Sequence, residues 1–458
     1  MKRRIGPVMR TVVIALCAVC TTLTTRQLRA QDFAAPPPKM ELSDGDCLVF
    51  LGDSITHQRL YTQYVEDYLY TRMPKLRLKI HNAGVGGARA WDALQRFDED
   101  VASYKPKYVT ILLGMNDGTY QAYNEEVFQT YRSDMTELLD KLQAIGAQAI
   151  PMTPTMFDSR AARMRDNPNR PRPESMLEQY NSVLAYYGSW LREQSLARGL
   201  GFVDMYSPLN SLTFQERKKD ATFTLIQDAI HPGAAGQVIM ATALVWDTGL
   251  PRAVSNIQIS QNAAGKPSVR AAGGVVEELS FSESGLSFSW TAESLPWVLP
   301  EDAAQGVKLT NLGHRLSREA LEVHGLPGGR YDLLIDGKTV GTYTADQLGR
   351  HIELQANDKT PQYQQAAEVA ALNAKRNQEP ISALRGQWSQ FQRYARAKRA
   401  AEAAPENTEL QKQLAATEQA IDGMQERVAQ YEAEAKKIED EIFAINQPIK
   451  RVFELRRK

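Results

Sequence analysis

Cys47-Leu48-Val49-Phe50-Leu51-Gly52-Asp53-Ser54-Ile55-Thr56 is the stretch on which the fold turns. Five apolar residues run without a polar break, which reads as a short strand buried on both faces. Gly52-Asp53-Ser54 ends it, and a helix-like stretch, Tyr61–Thr71, follows. The same grammar recurs. Apolar runs lie at Leu76–His81, Tyr108–Leu113, Ala147–Met152 and Gly201–Val203, with helix-like stretches at Glu125–Ile145, Met176–Arg198 and Ala234–Asp247. Near-continuous apolar strands alternating with helices predict an α/β unit, a parallel sheet covered on both faces.

The pattern changes near residue 252. Strand-like runs at Ile257–Ile259, Leu286–Trp290, Tyr331–Ile335, Val340–Thr344 and His351–Leu354 are separated by turn residues, and Asp336-Gly337 is a hairpin signal. Residues 253–356 therefore read as a small β-rich domain and 357–458 as a helical region. In the latter, Leu410, Leu414, Thr417, Ile421, Met424, Val428, Tyr431, Ala435, Ile438, Ile442 and Ile445 alternate steps of four and three for about five heptads. Two readings fit: a dimerising coiled coil, or a hairpin packed on the helix predicted at 363–402. The hairpin is favoured because an amphipathic partner lies just upstream.

At the amino end, Lys2, Arg3, Arg4 and Arg10 precede an apolar run from Thr11 to about Leu23, and the small residue Ala30 follows. This is the grammar of an export signal over 1–30, with a single membrane anchor as the rival reading. Residues 31–43, with Pro36-Pro37-Pro38, read as a linker. Over the whole chain 54 basic residues balance 54 acidic ones. Removal of 1–30 takes six basic residues and leaves 48, a net charge of about −6. That argues against nucleic acid as a partner, since phosphate binding needs a basic field. Only Cys47 of the three cysteines would remain, and no structural zinc spacing is present. The reading is an exported protein, periplasmic or extracellular, with no stable membrane span after signal removal.

Four blocks carry chemistry, and all lie before residue 252. Ser54 follows the first predicted strand, at the carboxyl edge where α/β sheets bind ligands. Asn82-Ala83-Gly84-Val85-Gly86-Gly87 follows the second and frees backbone N–H donors; it lacks the spacing of a dinucleotide loop. Gly114-Met115-Asn116-Asp117 follows the third, where an Asn amide can donate into the cleft. Asp228-Ala229-Ile230-His231 puts a carboxylate and an imidazole on one short loop, as a base and its orienting partner. Each block alone has an ordinary reading as a cap, a turn or a structural His; their conjunction and order do not.

Taken in order, Ser54 in Gly-Asp-Ser, Gly87 in the glycine loop, Asn116 in Gly-Met-Asn-Asp and Asp228/His231 in Asp-x-x-His resemble the SGNH (GDSL-type) hydrolases over about residues 44–250, within a domain read as 44–252. The resemblance implies a three-layer α/β/α flavodoxin-like domain and ester hydrolysis with no metal or cofactor. It also implies Ser54, His231 and Asp228 as catalytic residues, and an oxyanion hole of the Ser54 and Gly87 N–H groups and the Asn116 amide. Asp53 reads as bonding its own loop. His57, Arg89, Trp91, Tyr120 and Tyr123 are candidates for the substrate pocket. The proline- and arginine-rich segment Thr153–Glu174 reads as a lid or wall.

The combined expectation is an exported serine esterase removing short acyl groups, acetyl first, from a carbohydrate or similar polar alcohol. A lipid esterase or lysophospholipase, a thioesterase, and a non-catalytic binding protein on the same scaffold are the alternatives, with a homodimer through the C-terminal helix open.

Overall fold

The computed structural model describes residues 39–165, 171–262, 265–282 and 284–458. The expected signal at 1–30 and most of the linker lie outside them. The first elements are β1 (Cys47–Gly52), α1 (Ser54–His57), α2 (Leu60–Arg72), β2 (Lys79–Gly84), α3 (Ala90–Gln95), α4 (Phe97–Asp100), β3 (Tyr108–Leu112), α5 (Glu125–Ala144), β4 (Gln148–Pro151), α6 (Ser159–Met164), α7 (Glu174–Arg198), α8 (Tyr206–Glu216) and α9 (Ala234–Asp247).

The sheet is parallel, in the order β2-β1-β3-β4. Alternate residues of β1 enter opposite cores, as a strand's period of two requires. Cys47, Val49 and Leu51 join one core with α3, α5 and α7. Leu48 and Phe50 join the other with α2, α8 and α9. The chain is thus an α/β/α sandwich of flavodoxin-like order. Two details differ from the sequence reading. β2 begins at Lys79 rather than Leu76, because its register runs Cys47↔Lys79 to Gly52↔Gly84, so the strand carries Asn82-Ala83-Gly84 to the site edge. The run Gly201–Val203 contributes only a bridge, Met152↔Val203.

Beyond α9 come β5 (Ala253–Gln261), β6 (Pro267–Ala272), β7 (Gly274–Ser282), β8 (Gly285–Ala292), α10 (Ala304–Thr310), α11 (Leu312–Leu316), β9 (Arg318–Val323), β10 (Arg330–Ile335), β11 (Lys338–Thr344), α12 (Ala345–Arg350) and β12 (Ile352–Glu353). Then follow α13 (Pro361–Arg376), a π-turn at Asn377–Ile381, α14 (Ser382–Ala403), α15 (Thr408–Ile421), α16 (Met424–Ile445) and β13 (Arg451–Arg457). The strands form two sheets, β12-β9-β5-β6 and β11-β10-β13-β8-β7. They share a core of inward residues such as Ile257, Ile259, Phe288, Leu333 and Phe453. Asp336 and Gly337 turn the β10–β11 hairpin with φ of +50° and +76°, the left-handed pair that a two-residue loop demands.

The stretch expected to be wholly helical, 357–458, ends instead in β13, which pairs with both β10 and β8. Phe453 and Leu455 point into the core while their neighbours do not, a strand period too short to stand out after Pro448. The four-three stripe is not one helix either. It breaks at Asp422-Gly423, where Gly423 takes φ +66°. Its second half (Met424, Val428, Ala435, Ile438, Ile442) is buried within the chain, while α15 lies along α14 with no buried residue.

These helices cover β2, the edge strand. An exposed edge leaves backbone groups unpaired. Here Arg376 donates to the Ile80 carbonyl (3.1 Å) and Arg385 donates to that of Asn82. Pro380, which lacks an N–H, sits in the π-turn between the two arginines. On the same side α13 buries α2, so Glu66 meets Arg376 (3.3 Å) and Asn377 (2.6 Å), and Asp67 accepts from Asn373 (2.8 Å).

Candidate active site

Ser54 opens α1 one residue past the N-cap Asp53, whose Oδ1 accepts the Ile55 N–H (2.9 Å). The loop expected of Asp53 is therefore what it bonds. Asn82 ties β2 to this turn, donating to the Thr56 carbonyl (2.9 Å) and to Thr62 Oγ1 (3.0 Å). The turn packs directly on Gly84: a Cβ there would come within 2.3 Å of His57 N and 2.5 Å of Thr56 C. Both are backbone atoms, so neither can swing aside. Gly84→Ala is expected to push Ser54 off its position, cost about 1–3 kcal/mol of stability and lower turnover by about 10²-fold. Thermal melting and ester kinetics check it; near-normal turnover would mean that the turn is not held by this contact.

His231 Nε2 lies 2.8 Å from Ser54 Oγ, and its Nδ1 lies 2.6 Å from Asp228 Oδ2. The other Asp228 oxygen accepts the N–H groups of Ile230 (2.9 Å) and His231 (2.7 Å). Burial acts to raise the Asp228 pKa, but these bonds and the imidazole beside it outweigh burial and hold it below the usual carboxylate range. Asp228 thus stays an acceptor, and the imidazole presents Nε2 to the serine. Ala229, between the two, adopts φ +78°. For a residue with a Cβ that conformation costs about 1–3 kcal/mol, and such strain concentrates at functional sites.

Gly87 (φ +69°) and Asn116 stand on the neighbouring loops. Neither the Ser54 nor the Gly87 N–H donates to another protein group among the described residues. The Asn116 amide is fixed at both ends. Tyr120 OH donates to its Oδ1 (2.9 Å), and its Nδ2 donates to the Ala88 carbonyl (3.1 Å) with a long contact to Asp53 (3.5 Å). Thr119 and Tyr120 both take positive φ to bring that hydroxyl in. Asp117 closes the loop from beneath, accepting the Ala90 (2.8 Å) and Gly114 (2.9 Å) N–H groups.

Burial pushes both Asp53 and Asp117 up to about 7, against their backbone hydrogen bonds. A carboxyl whose folded pKa is raised keeps its proton when the unfolded chain has lost its own. Its contribution is therefore full below about 4 and fades as pH rises to about 7. Asp53→Asn is expected to flatten part of the fall in melting temperature between about pH 4 and 7; an unchanged slope would contradict this account.

The candidate pocket residues divide. Arg89, Trp91 and Tyr120 line a cavity of about 690 Å³ together with Gly87 and Asn116. His57 and Tyr123 are not among its walls. Burial, helped by Arg59, Arg385 and Arg96, holds the His57 imidazole down at about 4, so it is neutral above pH 5. Tyr123 is exposed and bonds Glu125 (2.5 Å). Where it is described, the segment Thr153–Glu174 packs against the loop that carries Asp228 and His231 and lines no part of that cavity. Residues 153–158 are buried, the Asp158 N–H donates to the Ala229 carbonyl (3.0 Å), and Arg217 grips the Asp158 carboxylate with two bonds (2.8 and 2.6 Å). Among its described arginines, Arg163 bonds Glu174 (2.5 Å) and Arg160 donates to the Ala221 carbonyl (2.8 Å).

The sequence reading missed α14 altogether as part of this site. Arg385, Trp388, Gln392, Arg396 and Arg399 follow i, i+3, i+7, i+11, i+14 and form one helical stripe. It runs along the second block. Gln392 donates to the Gly86 carbonyl (2.9 Å), Arg396 to the Gly87 carbonyl (2.7 Å) and to both oxygens of Asp92 (2.8 and 2.7 Å), and Arg399 lies over Trp91 (4.5 Å). The spacing was readable; the partner, some 300 residues upstream, was not.

A flavodoxin-like sheet whose carboxyl edge brings Ser, His and Asp together defines a serine hydrolase of ester bonds, and the domain that carries it is an SGNH (GDSL-type) hydrolase domain. Residues 50–239 match the GDSL-like lipase/acylhydrolase family. An acetylxylan esterase of Geobacillus stearothermophilus is 25% identical over 225 residues, covering 46% of this chain and 97% of that protein. YqeF, an uncharacterized lipoprotein of Bacillus subtilis strain 168, is 35% identical over 78 residues, 17% of this chain and 32% of its own length. The solved structure of BT4096, a gut microbial diltiazem-metabolizing enzyme, is 26% identical with a TM-score of 0.75, covering 93% of this chain and all of that one. The likeness to BT4096 thus extends into the β-sheets and C-terminal helices.

Proposed function

We propose that this protein is an exported serine esterase that removes short acyl groups, acetyl first, from a carbohydrate or similarly polar alcohol. The observation that carries the reading is the continuous relay from Ser54 Oγ through His231 to Asp228, at 2.8 and 2.6 Å. His231 Nε2 takes the Ser54 proton as Oγ attacks the acyl carbon, then returns it to the departing alcohol. Water repeats the sequence on the acyl-enzyme. Asp228 keeps the imidazole in the right tautomer and stabilises the imidazolium. The oxyanion is met by the Ser54 and Gly87 N–H groups and the Asn116 amide, and losing one donor typically costs about 3 kcal/mol. The acetyl preference is supported by the acetylxylan esterase relative, and export by the basic and apolar amino terminus and the lipoprotein relative. Among the described residues no helix is long and apolar enough to cross a membrane. We also propose 44–252 as the catalytic unit.

The test is hydrolysis of p-nitrophenyl acetate, butyrate and octanoate. Rates falling with chain length support the reading, a preference for octanoate transfers it to lipid esters, and inertness of all three with no fluorophosphonate label on Ser54 leaves a non-catalytic scaffold.

A further inference from the structure

Gln392 is a buried amide that makes one hydrogen bond among the described residues. Its Nε2 donates to the Gly86 carbonyl (2.9 Å), and its Oε1 has no partner. An unpaired buried acceptor is costly, so this residue is a poor device for stabilising the α14 packing. The group it touches says more. A trans peptide is planar, and its C=O and N–H point opposite ways. The Gly86 carbonyl belongs to the same peptide as the Gly87 N–H. With that carbonyl drawn toward α14, the N–H faces away from α14, and it donates to no other protein group among the described residues.

The second block needs such a hold. Val85–Ala88 is a β-turn, closed by the Ala88 N–H donating to the Val85 carbonyl (3.1 Å). Gly86 takes a negative φ and Gly87 a φ of +69°, which is the type II form. The type I form closes with the same hydrogen bond and differs by roughly half a turn of the central peptide, the one between Gly86 and Gly87. Glycine at both central positions leaves either form accessible. Packing does not choose between them, because a Cβ on either glycine would meet nothing within 4 Å. The flanking peptides are held by other groups. The one before is fixed by the Ala88 N–H, and the one after by Arg396, which donates to the Gly87 carbonyl (2.7 Å). Among the described residues the central peptide has Gln392 alone.

We propose that Gln392 is a positioning residue for ester hydrolysis: it locks this turn in the form that presents the Gly87 N–H to the developing oxyanion. The proposal rests on the reading of Gly87 as an oxyanion donor, and its test separates the two. In the type I form the Gly86 carbonyl would stand where the N–H stands now and would set a lone pair against the negative oxygen. α14 then acts on the chemistry through the plane of one peptide, besides covering β2.

Gln392→Met removes the donor and keeps roughly the length and volume of the side chain. In p-nitrophenyl acetate hydrolysis kcat is expected to fall about 10²-fold, the loss typical of one missing oxyanion donor, while KM stays within about 3-fold. The pH at which the rate rises should not move, because Ser54 and His231 are untouched. The melting temperature should stay close to wild type, since Gly86 is exposed and its freed carbonyl can turn to water. A lower melting temperature with unchanged kcat would make Gln392 a packing residue and overturn the proposal, and so would a loss confined to KM. Crystal structures of wild type and variant read the lock without turnover. A negative φ at Gly87 in the variant is expected, and a Gly87 still near +69° overturns the proposal whatever the rates. If wild type hydrolyses no p-nitrophenyl ester, the esterase reading fails for these substrates, and the two structures still decide whether Gln392 holds the turn. If the turn flips while kcat is unchanged, Gly87 is no oxyanion donor, and the proposal falls with that assignment.

Discussion

Ser54→Ala is expected to lower hydrolysis of p-nitrophenyl acetate by about 10⁴–10⁶-fold while leaving the melting temperature close to wild type. The size follows from the geometry. Ser54 Oγ is within hydrogen-bond reach of one base, His231 Nε2 at 2.8 Å, and is the group that would carry the acyl. Because the groups act as a unit, His231→Ala should cost a comparable factor, and the double variant should be little worse than either single one. Additive losses would mean that the two residues act in separate steps. Asp228→Asn should cost about 10⁴-fold. An Asn amide turned toward Nδ1 forces the proton onto Nε2, and the serine then faces a donor instead of a base. Activity retained in Asp228→Asn would leave the orienting role to the Asp228 backbone contacts alone.

The second large effect is on stability and lies away from the chemistry. Asp100 is fully buried and holds three partners: Arg96 (2.6 Å), Arg385 in a bidentate pair (2.8 and 2.9 Å), and His81 (3.0 Å). Burial alone would raise its pKa, but Arg385, His81 and Arg96 together hold it below the usual carboxylate range. Breaking a buried ion pair by removing one side costs about 3–5 kcal/mol, since the other charge stays buried and uncompensated. Asp100→Ala strands two guanidiniums, whereas Arg385→Ala leaves Asp100 with Arg96. The expected order is therefore Asp100→Ala near the top of that range and Arg385→Ala near the bottom, read by chemical denaturation. The reverse order would contradict the assignment of Asp100 as the hub. The pH sign follows too. The depressed folded pKa of Asp100 means that its contribution is present above about 4 and is lost as pH falls through the folded value.

This hub explains why the C-terminal helices cannot be treated as an appendage. Arg385 joins α14 to Asp100 and to the carbonyl of Asn82, the first residue of the second block. Further along the same face, Gln392 and Arg396 take the carbonyls of Gly86 and Gly87. The element that seals the sheet edge also sets the pose of the loop carrying the proposed oxyanion donor.

Much of this was legible beforehand, for reasons that differ by element. The strands β1, β3 and β4 announce themselves because strands covered on both faces are apolar at nearly every position. α9 was read to the residue, Ala234–Asp247, because Gly233 and Gly249 bracket an apolar run. The Asp336-Gly337 hairpin was legible because two consecutive left-handed residues leave few choices of sequence. The four blocks were legible because each places its chemistry within a few residues of a strand end. Other parts had no local signal. Glu66 and Asp67 on α2 look like a solvated face, and only the asparagines and arginine of α13 make their burial tolerable. β13 is seven residues whose identity as a strand is decided by the gap between β10 and β8.

By itself, then, the sequence determined what local chemistry can determine: the period of each element, the alternation that makes a parallel sheet, and the Ser, Gly, Asn and Asp/His blocks at its carboxyl edge. Tertiary structure alone decided that His231 meets Ser54 across 177 positions, that α14 lies along the second block, and that the chain's last strand completes a sheet begun near residue 274. Periodicity and capping are written in neighbouring residues and survive in any fold. Which charged or apolar stripe meets which partner is a property of the packed chain. It is settled by the burial of charges and edge carbonyls that no short window of sequence contains.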